Sequence, residues 1–406
     1  MDDNHEDATR PNGETRRRPQ SRARKWIIIV ALAVVIALIV SGLVLSITGA
    51  RNYFILSPGS APSITANPLC RPTSGGNLRL PSGKVCVRLD VPADKIHVID
   101  GSLFMVDVLE GKATPAQYAL SKVGLLHFFD QGATLIPSGA VLGSTPASQL
   151  NCQSDQAMNS AQSSASVVAL RRLGYPVVEN DMGAQVNQVQ PGSPAAAAGV
   201  MCNDLVIAAN GVTIHTDDQL VNEIHTLKPG DELPMTLSRT GSNGQTTIVH
   251  VIARLTGTPA EAGQPAQPDR AYLGVAVETR MTFTFPFDVN IDVGEIGGPS
   301  AGLALTLGLL DVLSNGRLTG GHAVAATGTM DLEGDVGPIG GAAQKAVAVR
   351  RAGATVFLVP PANLKDAESE AGSMKVYAVT TLEQALDVLK SLGGQIPPPA
   401  ATPAGG

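Results

Sequence analysis

Two short stretches in the last third of the chain carry the residue types of a nucleophile and its base. Gly297-Gly298-Pro299-Ser300-Ala301-Gly302 opens one apolar segment, and Gly340-Gly341-Ala342-Ala343-Gln344-Lys345 opens another. A serine hydroxyl attacks a carbonyl only when a neighbouring group removes its proton. A lysine amine does this near neutral pH only when burial lowers its pKa. Ser300 precedes Ala301-Gly-Leu-Ala-Leu-Thr-Leu-Gly-Leu-Leu-Asp-Val-Leu313, apolar nearly all round and therefore predicted as a buried helix whose first amides would face a developing oxyanion. Each motif has a plainer reading: serine is a preferred helix cap, and a lysine in an alanine-rich helix is usually solvated. It is their joint appearance that favours a Ser300/Lys345 dyad. His322 after Gly320-Gly321 does not suggest a Ser-His-Asp triad, because no strained Gly-x-Ser-x-Gly elbow accompanies it. Asp292, Asp311 and Asp331 read as surface, capping or structural carboxylates.

The elements that must position this pair belong to a chain of 406 residues with 44% hydrophobic content, enough for several cores. A net charge of -6 gives no general attraction to nucleic acid. Arg16, Arg17, Arg18, Arg22, Arg24 and Lys25 form a basic block, and Trp26 to Ala50 holds no charged side chain. About 20 apolar residues cross a bilayer, and a basic flank stays cytoplasmic. The expectation is a cytoplasmic tail over 1–25, a single transmembrane helix over 26–50 and an extracytoplasmic remainder at the cell membrane. A secretory leader has a shorter apolar core, although small residues near Thr48 and Ala50 would permit cleavage. Cys70, Cys86, Cys152 and Cys202 suit an oxidising compartment, and the short Gly- and Pro-containing stretch between Cys70 and Cys86 favours that pairing. No Cys-x-x-Cys or His-x-x-x-His spacing suggests a metal.

Residues 51–164 give strand-like pieces, Val85 to Val91 and Leu103 to Leu109, with a turn at Asp100-Gly101, and Ser160 to Leu173 reads as a helix; the region is expected to be a β-rich connector. Farther on, Gln185 to Gln190 alternates as a strand. Ser193 caps the short helix that Pro194 opens and Gly199 stops. Asp204 to Ala209 turns at Asn210-Gly211, and a helix follows with Leu220, Val221, Ile224 and Leu227 on one face. A hairpin, Leu233 to Arg239 with Thr247 to Ala253, closes the unit. This order resembles a bacterial PDZ domain over 165–255. The resemblance implies capture of an extended peptide, with Gly174 and Tyr175 in the carboxylate loop and Leu220, Val221 and Ile224 as groove wall. Pro176 has no amide to offer an added strand, which leaves a docking role open beside peptide binding.

A linker by composition covers 256–269, and 393–406 reads as a disordered tail. Between them Tyr272 to Thr279 and Phe283 to Val293 read as strands. The Ser300 helix, a strand at Ala323 to Gly328, the Lys345 helix ended by Gly353, a strand at Thr355 to Val359 and a helix at Leu382 to Leu392 follow, an α+β arrangement. Gly298-Pro299-Ser300-Ala301-Gly302, Thr327-Gly328, Gly334-x-Val336-x-x-Ile339-Gly340-Gly341, Lys345, Ala352-Gly353-Ala354, Val359-Pro360 and Asn363 resemble the proteolytic domain of Lon peptidases over 270–392. That resemblance implies Ser300 as nucleophile, Lys345 as general base, Thr327 and Gly298 in support, and assembly into a homo-oligomeric ring. The chain departs from the ATP-driven Lon pattern at Gly297 and Thr329, where those enzymes usually carry acidic residues, and is closer to the membrane-anchored, PDZ-bearing Lon-like branch. No Gly-x-x-x-x-Gly-Lys-Ser/Thr occurs, so no ATP, no nucleotide motor and no cofactor are expected. The implied function is ATP-independent endoproteolysis of protein or peptide substrates by a membrane-tethered enzyme. A catalytically silent PDZ adaptor is the alternative, and a trypsin-like PDZ protease is disfavoured by domain order.

Overall fold

The structure is a computed structural model that describes residues 20–73, 77–142, 146–241, 244–260 and 265–399. Its central sheet has seven strands, in the order Asn290–Asp292, Cys86–Asp90, Ser63–Thr65, Ser102–Phe104, Ala323–Ala326, Val356–Val359 and Lys375–Ala378. The last four run parallel. Parallel strands are covered on both faces and so read as unbroken apolar runs, here Ala-Val-Ala-Ala and Val-Phe-Leu-Val. The two-residue period splits them: Val324, Ala326, Val356 and Leu358 join one core, while Ala325, Phe357 and Val359 join another. On the first face lies the nucleophile helix Gly302–Leu313, buried at every position; on the second lies the lysine helix Ala342–Arg351.

Residues 51–164 are not a connector apart from this sheet, since Ser63–Thr65, Cys86–Asp90 and Ser102–Phe104 are interior strands of it. The strand expected over Leu103 to Leu109 divides. Ser102–Phe104 stays in the central sheet, and Val108–Lys112 pairs with Tyr53–Pro58 in a three-stranded sheet completed by Thr134–Pro137. Asp100-Gly101 therefore turns no hairpin: Gly101 packs on Thr319 and His322, and the strand after it runs parallel to Ala323–Ala326. Phe283 to Val293 is likewise broken by Pro286 into the end of strand Val275–Thr284 and the short strand Asn290–Asp292.

The helix expected from Ser160 begins thirteen residues earlier, spans Ala147–Arg172 and serves as a spine. Its Ala165 and Ala169, one turn apart on a face, join the nucleophile helix's core, the small side chains permitting close approach. Its other side holds the next unit through Gln156 Nε2, which donates to Val186 O at 3.1 Å. Cys152 is bonded to Cys202 across the same junction, and Cys70 is bonded to Cys86.

The second unit is a six-stranded sheet whose main path runs Thr246–Arg254, Glu232–Thr240, Leu205–Ala209, Val178–Val189 and Val275–Thr284. Its local signals act as turn chemistry requires: Ser193 Oγ accepts from Ala196 N, and Asn210 and Gly211 both take positive φ. The strand Val275–Thr284, which the sequence places with the proteolytic region, pairs along Val178–Val189 instead. Thr256–Thr258, inside the stretch expected to be a linker, pairs as a strand with Gln267–Tyr272, which begins in that stretch and runs past its end.

The N-terminal helix runs Gln20–Ala50, 31 residues. Among the described residues no helix is long and apolar enough to cross a membrane. Side chains of this helix are described without interruption only from Val40 to Ala50, so the expected span is not supported by the described residues alone. Residues 1–19 of the expected tail and 400–406 of the C-terminal tail lie outside them.

Candidate active site

Ser300 sits in the 3-10 turn Pro299–Ala301 that leads into the nucleophile helix. Gly298 enters the turn at φ 88° and ψ 154°, a conformation open essentially to glycine alone, and its amide donates to Ser154 O at 2.9 Å on the spine helix. From the other side Gly328 N and Thr327 Oγ1 donate to the Ser300 carbonyl at 2.9 and 3.0 Å. The serine backbone is thus held between two elements that belong to different parts of the sequence.

The lysine helix starts after Gly341, and its fourth residue projects Lys345 inward to 1% exposure. Lys345 Nζ lies 2.6 Å from Ser300 Oγ and 3.1 Å from Thr327 Oγ1. Burial lowers the amine to about 8, while the negative charge of Asp107 pulls it back up. Thr327, fully buried, joins Lys345 Nζ and the Ser300 carbonyl through one hydroxyl. Asn363 fixes the loop before the lysine helix: its amide donates to Ile339 O at 2.8 Å and accepts from Ile339 N at 2.9 Å.

A cleft of about 480 Å³ opens over the pair, lined among others by Ser60, Asp107, Met158, Glu295 and Ile296. Asp107 was not singled out in the sequence. It sits in the break between Ser102–Phe104 and Val108–Lys112 and accepts from Ser60 N and Ser60 Oγ, both at 2.6 Å. A lone carboxylate inside the apolar run Leu-Phe-Met-Val-Asp-Val was the signal available. At Gly297, where the ATP-driven pattern has an acid, a Cβ would stand 2.3 Å from Ser154 Oγ.

The remaining candidates lie elsewhere. His322 Nε2 bonds the Leu392 carbonyl at 3.1 Å, and Asp292 pairs with Arg88 at 3.3 Å. Asp331 Oδ1 accepts from Glu333 N and Asp335 N in a turn. Asp311 is not a surface group. It is fully buried in the nucleophile helix and pushed up to about 6 by desolvation, with Oδ1 accepting from Leu318 N at 2.8 Å and Oδ2 without a hydrogen-bond partner among the described residues.

In the second unit, Leu220 and Ile224 of helix Asp217–His225 point into the core, and Val221 is more exposed. Gly174 and Tyr175 are not beside them. Gly174, at φ 83°, ends the spine helix, and the Tyr175 ring stacks edge-on to Phe287 with Lys95 above both. The helix meets Val275–Thr284 instead: Asp217 N donates to Thr279 Oγ1 at 3.0 Å. That strand ends the sheet, and its entry turn is Tyr272-Leu273-Gly274, with Gly274 at φ 82° packed on Ser193. Leu273-Gly274 repeats the Leu-Gly pair found at 173–174, but at the entry of the strand that the helix meets.

Residues 171–250 match the PDZ domain family, and residues 286–392 match the Lon protease (S16) C-terminal proteolytic domain. The Lon protease of Haemophilus influenzae is 32% identical over 158 residues, covering 37% of this chain and 18% of that protein. That of Frankia alni is 38% identical over 106 residues, covering 25% and 12%. That of Desulforamulus reducens is 29% identical over 141 residues, covering 34% and 17%. The chain thus spans less than a fifth of the length of these relatives. Among solved structures, the PDZ domain of the SdrC-like protein from Listeria monocytogenes is similar at 19% identity and a TM-score of 0.19, covering 24% of this chain and 87% of that one.

Proposed function

We propose that this chain, in which a PDZ domain is joined to a Lon-type proteolytic domain, is a serine endopeptidase that works without ATP. The observation that carries the reading is Lys345 Nζ, 1% exposed and 2.6 Å from Ser300 Oγ. Neutral Lys345 takes the Ser300 proton as Oγ attacks the scissile carbonyl. The first amides of the nucleophile helix hold the resulting oxyanion, and the ammonium then protonates the leaving amine. Water, deprotonated by the same amine, releases the acyl group from Ser300. Thr327 keeps Nζ and the serine backbone in register, and Gly298 sets the entry of the turn.

ATP independence rests on the sequence, which contains no phosphate-cradling motif. Without a motor, flexible or membrane-proximal segments are the substrates. The PDZ groove between helix Asp217–His225 and edge strand Val275–Thr284 receives an extended peptide as an added strand. Trp26 to Ala50 anchors the chain in the cell membrane, with the basic flank cytoplasmic and both disulfides outside. A homo-oligomeric ring follows from the Lon resemblance, and a strictly monomeric, fully active particle in detergent would overturn it.

The test is cleavage of an unstructured protein by the full chain without nucleotide. Ser300→Ala and Lys345→Met are each expected to lower kcat by at least about a thousandfold. Cleavage that survives both substitutions overturns the dyad. A wild-type chain with no cleavage that still binds C-terminal peptides would identify an adaptor.

A further inference from the structure

Near the end of the N-terminal helix the structure exposes an apolar knuckle that the catalytic and PDZ readings leave unused. Helix Pro115–Lys122 packs against the last turns of Gln20–Ala50, and a Cβ on Gly49 would stand 2.5 Å from the Tyr118 ring. Leu45, Thr48, Gly49, Tyr118, Lys122 and Val123 line one groove between the two helices. Leu45 precedes Ala50 by about 7 Å of helix rise, so the groove reaches into the uncharged tract.

Beyond Lys122 the chain turns outward with hydrophobic residues. Val123 is 67% exposed, Leu125 47%, Phe128 83% and Phe129 66%. The two phenylalanines stand edge to face at 5.3 Å. Water alone does not favour so many large apolar side chains in one short segment. The patch adjoins the N-terminal helix, whose Val40, Leu43, Val44 and Leu45 are each more than half exposed. At the boundary Lys122 Nζ lies over the rings of Tyr53 and Tyr118 at 5.6 and 5.2 Å. Tyrosines with a lysine beside an apolar tract are the composition of a membrane-water interface.

We propose that this knuckle, Val123 to Phe129, is a second membrane contact that inserts into the outer interfacial layer of the lipid. It rests on the reading of Trp26 to Ala50 as a span. Together the two contacts hold the base of the three-stranded sheet against the bilayer. That sheet contains Val108–Lys112, the strand that follows Asp107 at the catalytic cleft, so the cleft keeps a fixed attitude to the membrane. A helix alone would leave the chain free to swivel.

The experiment uses the full chain in vesicles of phosphatidylcholine with phosphatidylglycerol, plain or brominated near the headgroup end of the acyl chains. In a Trp26→Phe background, Phe128→Trp supplies a single indole at an exposed site where folding is not at stake. Emission from position 128 is expected to shift to the blue and to fall by roughly half in brominated lipid. Ile248→Trp in the same background, on an exposed PDZ strand, stays unquenched. Unquenched emission from position 128 overturns the proposal, whether it is water-like or is blue-shifted because a second copy covers the knuckle. The native Trp26 separates the two readings. Quenching of Trp26 without quenching at 128 leaves the span and removes the knuckle, and loss of both removes the span as well.

Discussion

The nucleophile helix Gly302–Leu313 and the N-terminal helix Gln20–Ala50 share an unusual property: neither shows a polar face in sequence. The structure treats them oppositely. The first is buried at all positions between the sheet and the spine helix, while the second leaves Leu43, Val44 and Leu45 open. A helix apolar all round needs apolar surroundings, and these come either from the protein or from another solvent. In the first case the burial also serves the proposed chemistry, because it dries the site where Lys345 meets Ser300. In the second the exposed apolar side chains are the observation behind the proposed membrane anchor.

Leucine truncation separates the two most sharply. Leu307→Ala, in the fully buried helix, is expected to cost about 2–5 kcal/mol, read as a lower unfolding temperature in detergent. Leu43→Ala changes the stability of the remaining chain by no more than about 0.5 kcal/mol. Equal effects would show that the N-terminal helix packs on protein after all.

Asp311 is a charge inside the nucleophile helix, and its folded pKa is raised to about 6. A raised carboxyl destabilises the fold once it ionises: nothing is lost below the unfolded value, and the cost grows as pH rises to about 6. Asp311→Asn, which keeps an acceptor for Leu318 N, is therefore expected to stabilise by up to about 3 kcal/mol above that pH and by nothing below about pH 4. Denaturant titrations at the two pH values decide it. A smaller effect is expected at Asp107, whose charge raises the Lys345 amine. Asp107→Asn should move the rising limb of activity to lower pH and increase turnover near neutrality by roughly threefold. An upward displacement would mean that Asp107 acts through Ser60 rather than through charge.

The same contrast explains what could be read in the sequence. Ser300, Lys345, the PDZ turns and the apolar strands are local patterns, each set by capping, turn chemistry or a two- or 3.6-residue period. What escaped was pairing between distant segments. Nothing local marks Ser63–Thr65 or Ser102–Phe104 as neighbours of Ala323–Ala326, nor Val275–Thr284 as a partner of Val178–Val189. For that reason the place of Asp107 at the cleft, and the meeting of helix Asp217–His225 with strand Val275–Thr284, carried no local signal. The short helix Leu364–Glu370 and strand Lys375–Ala378 were also unread, lying in a polar stretch between stronger signals.

The central claim is that a buried lysine, not a histidine or a metal-bound water, activates Ser300. It is tested most directly by kcat/KM for peptide cleavage against pH, from about pH 6 to about pH 10, without nucleotide. Because the base must be neutral and its pKa is lowered to about 8, activity should rise tenfold per pH unit below that value and level off above it. A profile already flat at neutral pH, or one that rises around the histidine range, would contradict the account.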